Sequence, residues 1–185
     1  MVMNQKHTAR KTAYTAMGAA LITICAWIAV PTAVPFTMQT FAVCLIAALF
    51  GAKQGVFTVG GYLLLGLLGL PVFSGFRGGA GVLAGVTGGY LVGFLVTALT
   101  VGVAVERFGR KLTVLCLSMA AGILLCYAFG TAWFVVAYGK ANGSIGIGTA
   151  LGWCVIPYLL PDAAKIALAA ALTIRLYPHL PGKNG

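Results

Sequence analysis

Residues 112–138 read LTVLCLSMAAGILLCYAFGTAWFVVAY, and no side chain in this stretch is charged. A helix needs about 20 consecutive apolar residues to cross the hydrocarbon core of a bilayer. The stretch exceeds that length, so it predicts a membrane-spanning helix that is long enough to tilt. A helix is expected there because it satisfies its own backbone hydrogen bonds in lipid.

Five further apolar runs accompany this one, separated by charges or turn-forming residues. They lie at about 13–30, 38–52, 55–70, 86–105 and 161–177. Together the six runs predict an all-α integral membrane protein, with residues 1–185 forming a single transmembrane domain of six helices. Glycines and prolines break the apolar stretch 145–160, so we interpret it as a connection or a partial helix and not as a seventh span.

The composition of the whole chain agrees with this class. Of its 185 residues, 61% are hydrophobic and 8% charged, and the mean hydropathy is +1.01. Globular domains are about 25% charged, so a soluble domain is excluded. The basic N-terminus lacks a clear small-residue cleavage site, and we expect residues 13–30 to be a retained first span and not a signal peptide.

The net charge of +10 is best explained by membrane topology. Twelve Lys and Arg stand against two acids, Glu106 and Asp162. Cytoplasmic loops collect basic residues and meet anionic lipid headgroups, so nucleic acid is not an expected partner. With both termini cytoplasmic, nine of the twelve lie inside: Lys6, Arg10, Lys11, Lys53, Arg107, Arg110, Lys111, Arg175 and Lys183. Arg77 and Lys140 then lie in outer loops.

Asp162 and Lys165 are the most unusual residues, because an ionisable group within a span is costly and often functional. Their spacing places both on one face of a helix. Pro161 suits the first helical position, and Asp162 then lies at the positive end of the helix dipole. They could face a ligand pocket on the outer side. The alternatives are a structural ion pair with a capping acid, or a lysine that extends outward to the interface.

A second unusual segment, Pro71 to Tyr90, reads PVFSGFRGGAGVLAGVTGGY. Its glycine density permits close approach to a ligand, or close packing of helices. Arg77 is either a lipid headgroup anchor or a clamp for a ligand carboxylate. Thr87, Tyr90 and Gln39 lie at the same outer level and could line a pocket, although an interfacial aromatic belt also explains Tyr90.

Other motifs limit the functional classes. Ala16 and Ala20 form a small-x-x-x-small pair, which favours close helix packing within the chain or docking onto a separate membrane subunit. There is no G-x-x-x-x-G-K-[ST], no G-x-S-x-G and no H-E-x-x-H, and the five cysteines lack metal-ligand spacing. We expect no enzyme activity, no cofactor and no metal. Active transport would need an ion gradient or a separate ATPase.

Taken together, these residues resemble the BioY family, the biotin-specific substrate-binding (S) component of energy-coupling factor (ECF) transporters. The resemblance covers most of the chain. Its marks are VPFTMQ at 34–39, GAKQGVFTVGGYLLLGLLGLPVF at 51–73, GGAGVLAGVTGGYLVGF at 78–94 and the P-D-x-x-K of Pro161, Asp162 and Lys165.

This resemblance implies a multi-pass protein of the bacterial cell membrane that captures biotin from outside. It implies partnership with a membrane coupling subunit (EcfT-like) and two cytoplasmic ATPases, with Ala16 and Ala20 at the coupling interface. It also implies a biotin site that contains Asp162, Lys165 and the turn made by Thr87, Gly88, Gly89 and Tyr90.

Two competing functions remain open from the sequence. An autonomous ion-coupled or facilitative carrier would favour several intramembrane acids, and Asp162 is the single one here. A membrane scaffold without a ligand leaves the glycine-rich loop and the Asp162/Lys165 pair unexplained.

Overall fold

The chain folds into a bundle of helices closed at one end by a small hairpin. The structure, a computed structural model, describes residues 2–32 and 34–180, with side chains from residue 9 onward. An antiparallel hairpin of β1 (Ala29–Val30) and β2 (Phe36–Thr37) follows the first helix. The helices are α1 (Val2–Trp27), α2 (Gln39–Phe50), α3 (Ala52–Leu67), α4 (Ala80–Ala84), α5 (Gly88–Phe108), α6 (Leu112–Asn142), α7 (Ile147–Cys154) and α8 (Leu159–Leu176), with 3-10 turns at Ile156–Tyr158 and Tyr177–His179.

Among the described residues, three helical stretches are long and apolar enough to cross a membrane. They are Gly88–Phe108, Leu112–Asn142 and the run Ile147–His179, with mean hydropathies of 1.9, 2.2 and 1.5. The all-α class and the membrane character predicted from the sequence are therefore confirmed. The crossing of the other helices and the side on which the termini lie stay predictions.

The helices differ from the predicted runs at several ends. Helix α1 begins at Val2, well before 13, because its polar N-terminal residues include good helix formers that need no burial. The stretch 145–160 contains α7 and a 3-10 turn that lead directly into α8. The sequence predicts Pro161 at the first helical position, but it is the third residue of α8. Proline is tolerated there because the N–H groups of the first turn lack helical partners.

Helix α2 lies at the centre of the bundle. Every residue from Phe41 to Leu49 is buried, with α1, α3, α5, α6 and α8 packed around it. At 1.5 Å per residue the helix is about 18 Å long, against about 30 Å for the hydrocarbon core of a bilayer. The bundle therefore keeps a space beyond Gln39, the first residue of α2.

Helices α5 and α6 pack most closely, through glycine. A Cβ atom on Gly93 of α5 would stand 2.8 Å from Sγ of Cys126, and one on Gly122 of α6 would stand 3.1 Å from Cγ2 of Thr97. Small residues let helices approach in lipid, where hydrophobic burial supplies little attraction between them. Part of the glycine content thus serves helix packing.

Two charged side chains near the α5–α6 turn hold the turn between α2 and α3. The backbone N–H of Ala52 donates to Oε1 of Glu106 at 2.8 Å, and Nε of Arg110 donates to the carbonyl oxygen of Ala48 at 2.8 Å. These bonds satisfy terminal groups of α3 and α2. Gly51, between the helices, has a φ of +85°, which favours glycine. Partial burial lowers the pKa of Arg110, yet arginine stays charged at neutral pH.

Most of the basic residues lie at the end of the bundle that contains the α2–α3 and α5–α6 turns, and we call it the basic end. We call the opposite end, where α2 begins, the cavity end. Arg77 and Lys140 lie at the cavity end. Lys6 and Lys183 are outside the described side chains. The described basic residues at the basic end are Arg10, Lys11, Lys53, Arg107, Arg110, Lys111 and Arg175.

Candidate functional site

A cavity occupies the space beyond the first residue of α2. The cavity is narrow in this structure, with a volume of about 80 Å³, which is below the roughly 300–1,000 Å³ typical of small-molecule sites. Its walls come from the hairpin, the segment 73–87 and helices α5, α6, α7 and α8. Most of the wall is apolar or aromatic, and includes Phe36, Phe73, Leu91, Phe94, Ile123 and Tyr158.

One wall of the cavity carries a buried ion pair. Helix α8 places Asp162 in its first turn and Lys165 one turn later, and Nζ of Lys165 lies 2.7 Å from Oδ1 of Asp162. Only 4% of Asp162 and 5% of Lys165 is exposed, and both line the cavity. Lys165 therefore points inward, which excludes the alternative of a lysine that extends outward. Buried charges of this kind persist because they are paired and hydrogen-bonded.

The ammonium group of Lys165 has a partner for each of its three N–H bonds. Besides Asp162, it donates to the carbonyl oxygen of Thr37 at 2.6 Å and to Oγ1 of Thr40 at 3.3 Å. Its Nζ atom also lies 3.9 Å from the centre of the Phe36 ring. A ligand carbonyl would therefore bind Lys165 by replacing one of these acceptors.

The carboxylate of Asp162 accepts hydrogen bonds on both oxygens. Oδ1 accepts from Lys165 and from Oγ1 of Thr40 at 3.2 Å, and Oδ2 accepts a short hydrogen bond from the hydroxyl of Tyr127. A carboxylate offers about four lone-pair positions, so capacity remains for a ligand N–H. The sequence did not single out Tyr127. Its position in the middle of a span, away from the interfaces where tyrosine concentrates, is the feature that could have revealed it.

Gln39 lies in a separate polar network at the edge of the cavity. Its Oε1 accepts from Oγ1 of Thr37 at 2.9 Å, and its Nε2 donates to the hydroxyl of Tyr62 at 2.6 Å. That hydroxyl donates in turn to the carbonyl oxygen of Val72 at 3.2 Å. Gln39 lines the cavity, and these bonds fix its side chain.

Tyr90 and Thr87 also line the cavity. Tyr90 is buried, and its hydroxyl lies 2.8 Å from Oγ1 of Thr131 on α6. This position is inside the bundle and not in an exposed aromatic belt. The hydroxyl group of Tyr90 links this side chain to α6, so its ring has a fixed position in the cavity wall.

Gly88 and Gly89 do not line the cavity, although the resemblance led us to expect them in the biotin site. A Cβ on Gly88 would collide with the backbone of Leu83, and one on Gly89 would collide with the side chain of Trp133. These two glycines allow α4 and α6 to approach the start of α5. They act through packing.

Arg77 lies exposed at the mouth of the cavity. Its Nε donates to the carbonyl oxygen of Ser74 at 3.1 Å, and its own carbonyl accepts from the N–H of Phe73 at 2.9 Å. Within residues 9–32 and 34–180 no acid is paired with its guanidinium group. The side chain is thus positioned to meet an anionic group at the mouth.

The hairpin closes one side of the cavity, a feature that the sequence did not predict. The hydroxyl of Tyr158 donates to the carbonyl oxygen of Val34 at 2.6 Å and lies 2.8 Å from Oγ1 of Thr32. The ring of Phe36 stacks on Tyr158 with centroids 5.9 Å apart. These contacts join the hairpin to the segment that precedes α8.

Ala16 and Ala20 lie far from the cavity, on the outer face of α1. Both are exposed, while Ala19 between them is buried. Both side chains are therefore accessible on the surface of the described part of the bundle.

Comparison with known proteins gives consistent results. The model of the BioY family matches residues 3–182. The biotin transporter BioY of Thermotoga maritima is 39% identical over 158 residues, which cover 85% of this chain and 89% of the relative. The biotin transporter BioY2 of Lactococcus lactis is 39% identical over 170 residues, covering 91% of each chain. A crystal structure described as the S-component for biotin from an ECF-type ABC transporter superposes with a TM-score of 0.83 at 26% identity, covering 96% of this chain and 95% of that one.

Proposed function

Because this chain belongs to the BioY family, we propose that it captures biotin and acts in membrane transport as the substrate-binding subunit of an ECF-type importer. One observation supports this most directly: a buried pair of opposite charges, Asp162 and Lys165, lies in the wall of a mostly apolar cavity. The protein performs no chemistry on its ligand in this role.

The groups of biotin match the groups in the cavity. The ureido ring has two N–H donors and one carbonyl acceptor, which suit Asp162 and Lys165 respectively. The thiophane ring and the aliphatic chain need apolar walls, which Phe94 and Tyr90 supply. Thr87 and Gln39 complete the polar edge, while Gly88 and Gly89 shape the cavity through the packing of α5.

The carboxylate of the valerate chain is assigned to Arg77. With the ureido ring held at Asp162, the chain extends toward the mouth, where the Arg77 guanidinium lies. A guanidinium binds a carboxylate through two parallel hydrogen bonds. An interfacial anchor in contact with lipid headgroups is the other interpretation of this residue, and a ligand without the carboxylate distinguishes the two.

The proposed topology has six transmembrane helices, at about 13–30, 38–52, 55–70, 86–105, 112–138 and 161–177, with both termini in the cytoplasm. The concentration of described basic residues at the basic end supports this orientation, because such residues favour the cytoplasmic side. The cavity then opens outward from the bacterial cell membrane.

The proposed partners are an EcfT-like membrane coupling subunit and two cytoplasmic ATPases. This chain has no nucleotide-binding motif, so energy from ATP would have to come from other subunits. The exposed Ala16 and Ala20 offer a smooth surface on α1 for a helix of the coupling subunit.

Two measurements test this function. Mass spectrometry of small molecules released from the purified protein should detect biotin, and calorimetry should show saturable binding of added biotin. A protein that releases no biotin and binds none would refute the assignment. Biotin uptake into cells that express this chain without partners separates a subunit from an autonomous carrier, since sustained accumulation is expected of the carrier alone.

A further inference from the structure

A groove runs along the outer face of the bundle between α1 and α3, remote from the cavity. Small residues on both helices keep it open: a Cβ on Gly61 would meet nothing closer than Cγ2 of Thr15, at 3.8 Å. Its apolar wall includes Phe57 and Leu64, which are 63% and 60% exposed. Ala16 lies in the groove as well.

One end of the groove is strongly basic. Lys11 and Lys53 line it there, at the basic end of the bundle, and both are exposed. Glu106 and Asp162, the two acids of the chain, are not among the described residues that line it. The groove thus combines an apolar floor with a positively charged end, which is the complement of a molecule with an apolar body and an anionic head.

A polar bridge crosses the groove near its basic end. Nε2 of Gln54 donates to the carbonyl oxygen of Lys11 at 2.9 Å and to Oγ1 of Thr15 at 2.5 Å, joining α3 to α1 just below the basic end. Beyond this bridge, the residues of α3 that line the groove are Phe57, Gly61, Leu64 and Leu65, and none of them has a polar side chain.

The dimensions match one leaflet of a bilayer. From Lys53 to Leu65, helix α3 rises about 18 Å. The hydrocarbon of one leaflet is about 15 Å deep, half of a core of about 30 Å. A lipid whose headgroup meets Lys11 and Lys53 would therefore lay its acyl chain along the full length of the groove.

We propose that the groove between α1 and α3 is a binding site for one anionic phospholipid, with its phosphate at Lys11 and Lys53 and an acyl chain on Phe57 and Leu64. Because Ala16 belongs to the same surface, a coupling subunit that docks there would have to displace this lipid. The lipid is then the occupant of the isolated subunit.

The test uses the purified chain alone, exchanged into detergent with phosphatidylglycerol or phosphatidylcholine, and native mass spectrometry of the bound lipid. We expect one retained phosphatidylglycerol and little phosphatidylcholine. Lys53→Gln should lower retention of phosphatidylglycerol about fivefold, the equivalent of about 1 kcal/mol for one basic residue near an anionic lipid. Lys111→Gln is the matched control, since Lys111 lies at the same end but outside the groove, and should retain the lipid.

A second variant tests the apolar part without touching charge. A side chain at position 61 would start in ordinary van der Waals contact with Thr15 and extend into the groove. Gly61→Leu should therefore leave the size-exclusion profile of the bundle unchanged, while the acyl chain loses its place and lipid retention falls. The proposal would be overturned if the parent protein retained the two lipids equally, or if Lys53→Gln and Lys111→Gln lowered the retention of phosphatidylglycerol by the same amount. Displacement of the lipid by glycerol phosphate would mean that the basic end binds soluble anions, and it would overturn the proposal. A dimer mass that is present in the parent protein and lost in Gly61→Leu would mean that the groove binds a second copy of the chain, and it would overturn the proposal as well.

Discussion

Replacing Asp162 with asparagine tests the proposed site most directly. Asp162 is 4% exposed, and its carboxylate accepts hydrogen bonds from Lys165 at 2.7 Å, from Thr40 at 3.2 Å and from Tyr127. A hydrogen bond to a charged group contributes about 1.5–3 kcal/mol. Loss of one such bond to a ureido N–H corresponds to biotin affinity lower by about ten- to a hundredfold.

The assay is calorimetric titration of biotin into the detergent-solubilised variant. Glu106→Gln is the matched control: it makes the same change at the other acid of the chain, and its amide oxygen can still accept the N–H of Ala52. We expect the control to bind biotin like the parent protein. Unchanged affinity in Asp162→Asn would refute the role of Asp162 in the site.

Stability must be separated from binding, because Asp162→Asn leaves Lys165 as a buried charge without its counter-ion. Removing one member of a buried pair costs about 3–5 kcal/mol because the other charge is left buried without a partner, and replacing Lys165 as well removes that unpaired charge. The double variant Asp162→Asn with Lys165→Met should therefore regain thermal stability but not biotin affinity. Recovery of both would mean that the pair is structural only.

Three further predictions follow from the described contacts. Tyr127→Phe removes the hydroxyl that donates to Asp162 and should weaken biotin binding by about tenfold, as measured by calorimetry; unchanged binding would exclude Tyr127 as a positioning residue. Arg77→Gln should weaken binding of biotin but not of biotin amide, which lacks the carboxylate; equal effects on the two ligands would contradict a carboxylate clamp. Ala16→Trp and Ala20→Trp should retain biotin affinity but prevent co-purification with the coupling subunit, and normal co-purification of both would refute docking on this face.

The sequence predicted the helices well, because a long charge-free segment in lipid has to satisfy its backbone hydrogen bonds internally, and a helix does so within the segment. It could not predict which face of each helix points inward. In α6, Leu115 and Met119 are buried while Leu117 and Leu124 are exposed, and all four are apolar. A soluble helix would reveal its buried face by periodicity, but lipid removes that contrast.

For the candidate site, the sequence singled out the residues whose chemistry is unusual for a membrane. Asp162, Lys165 and Arg77 are all found at the cavity. It missed Tyr127, which is an ordinary residue until Asp162 is placed beside it. It also missed the hairpin, since strands of two residues are too short to carry an alternating pattern.

The buried central helix α2 has a thermodynamic consequence for transport. It stands beneath the cavity, and its residues from Phe41 to Leu49 fill the path toward the basic end within the described part of the chain. A bound molecule therefore exchanges with one compartment only. In this conformation the subunit is an equilibrium receptor: it records the concentration on the side of its mouth, and neither leaks nor concentrates its ligand. Vectorial movement has to come from a second arrangement, and from free energy supplied from elsewhere.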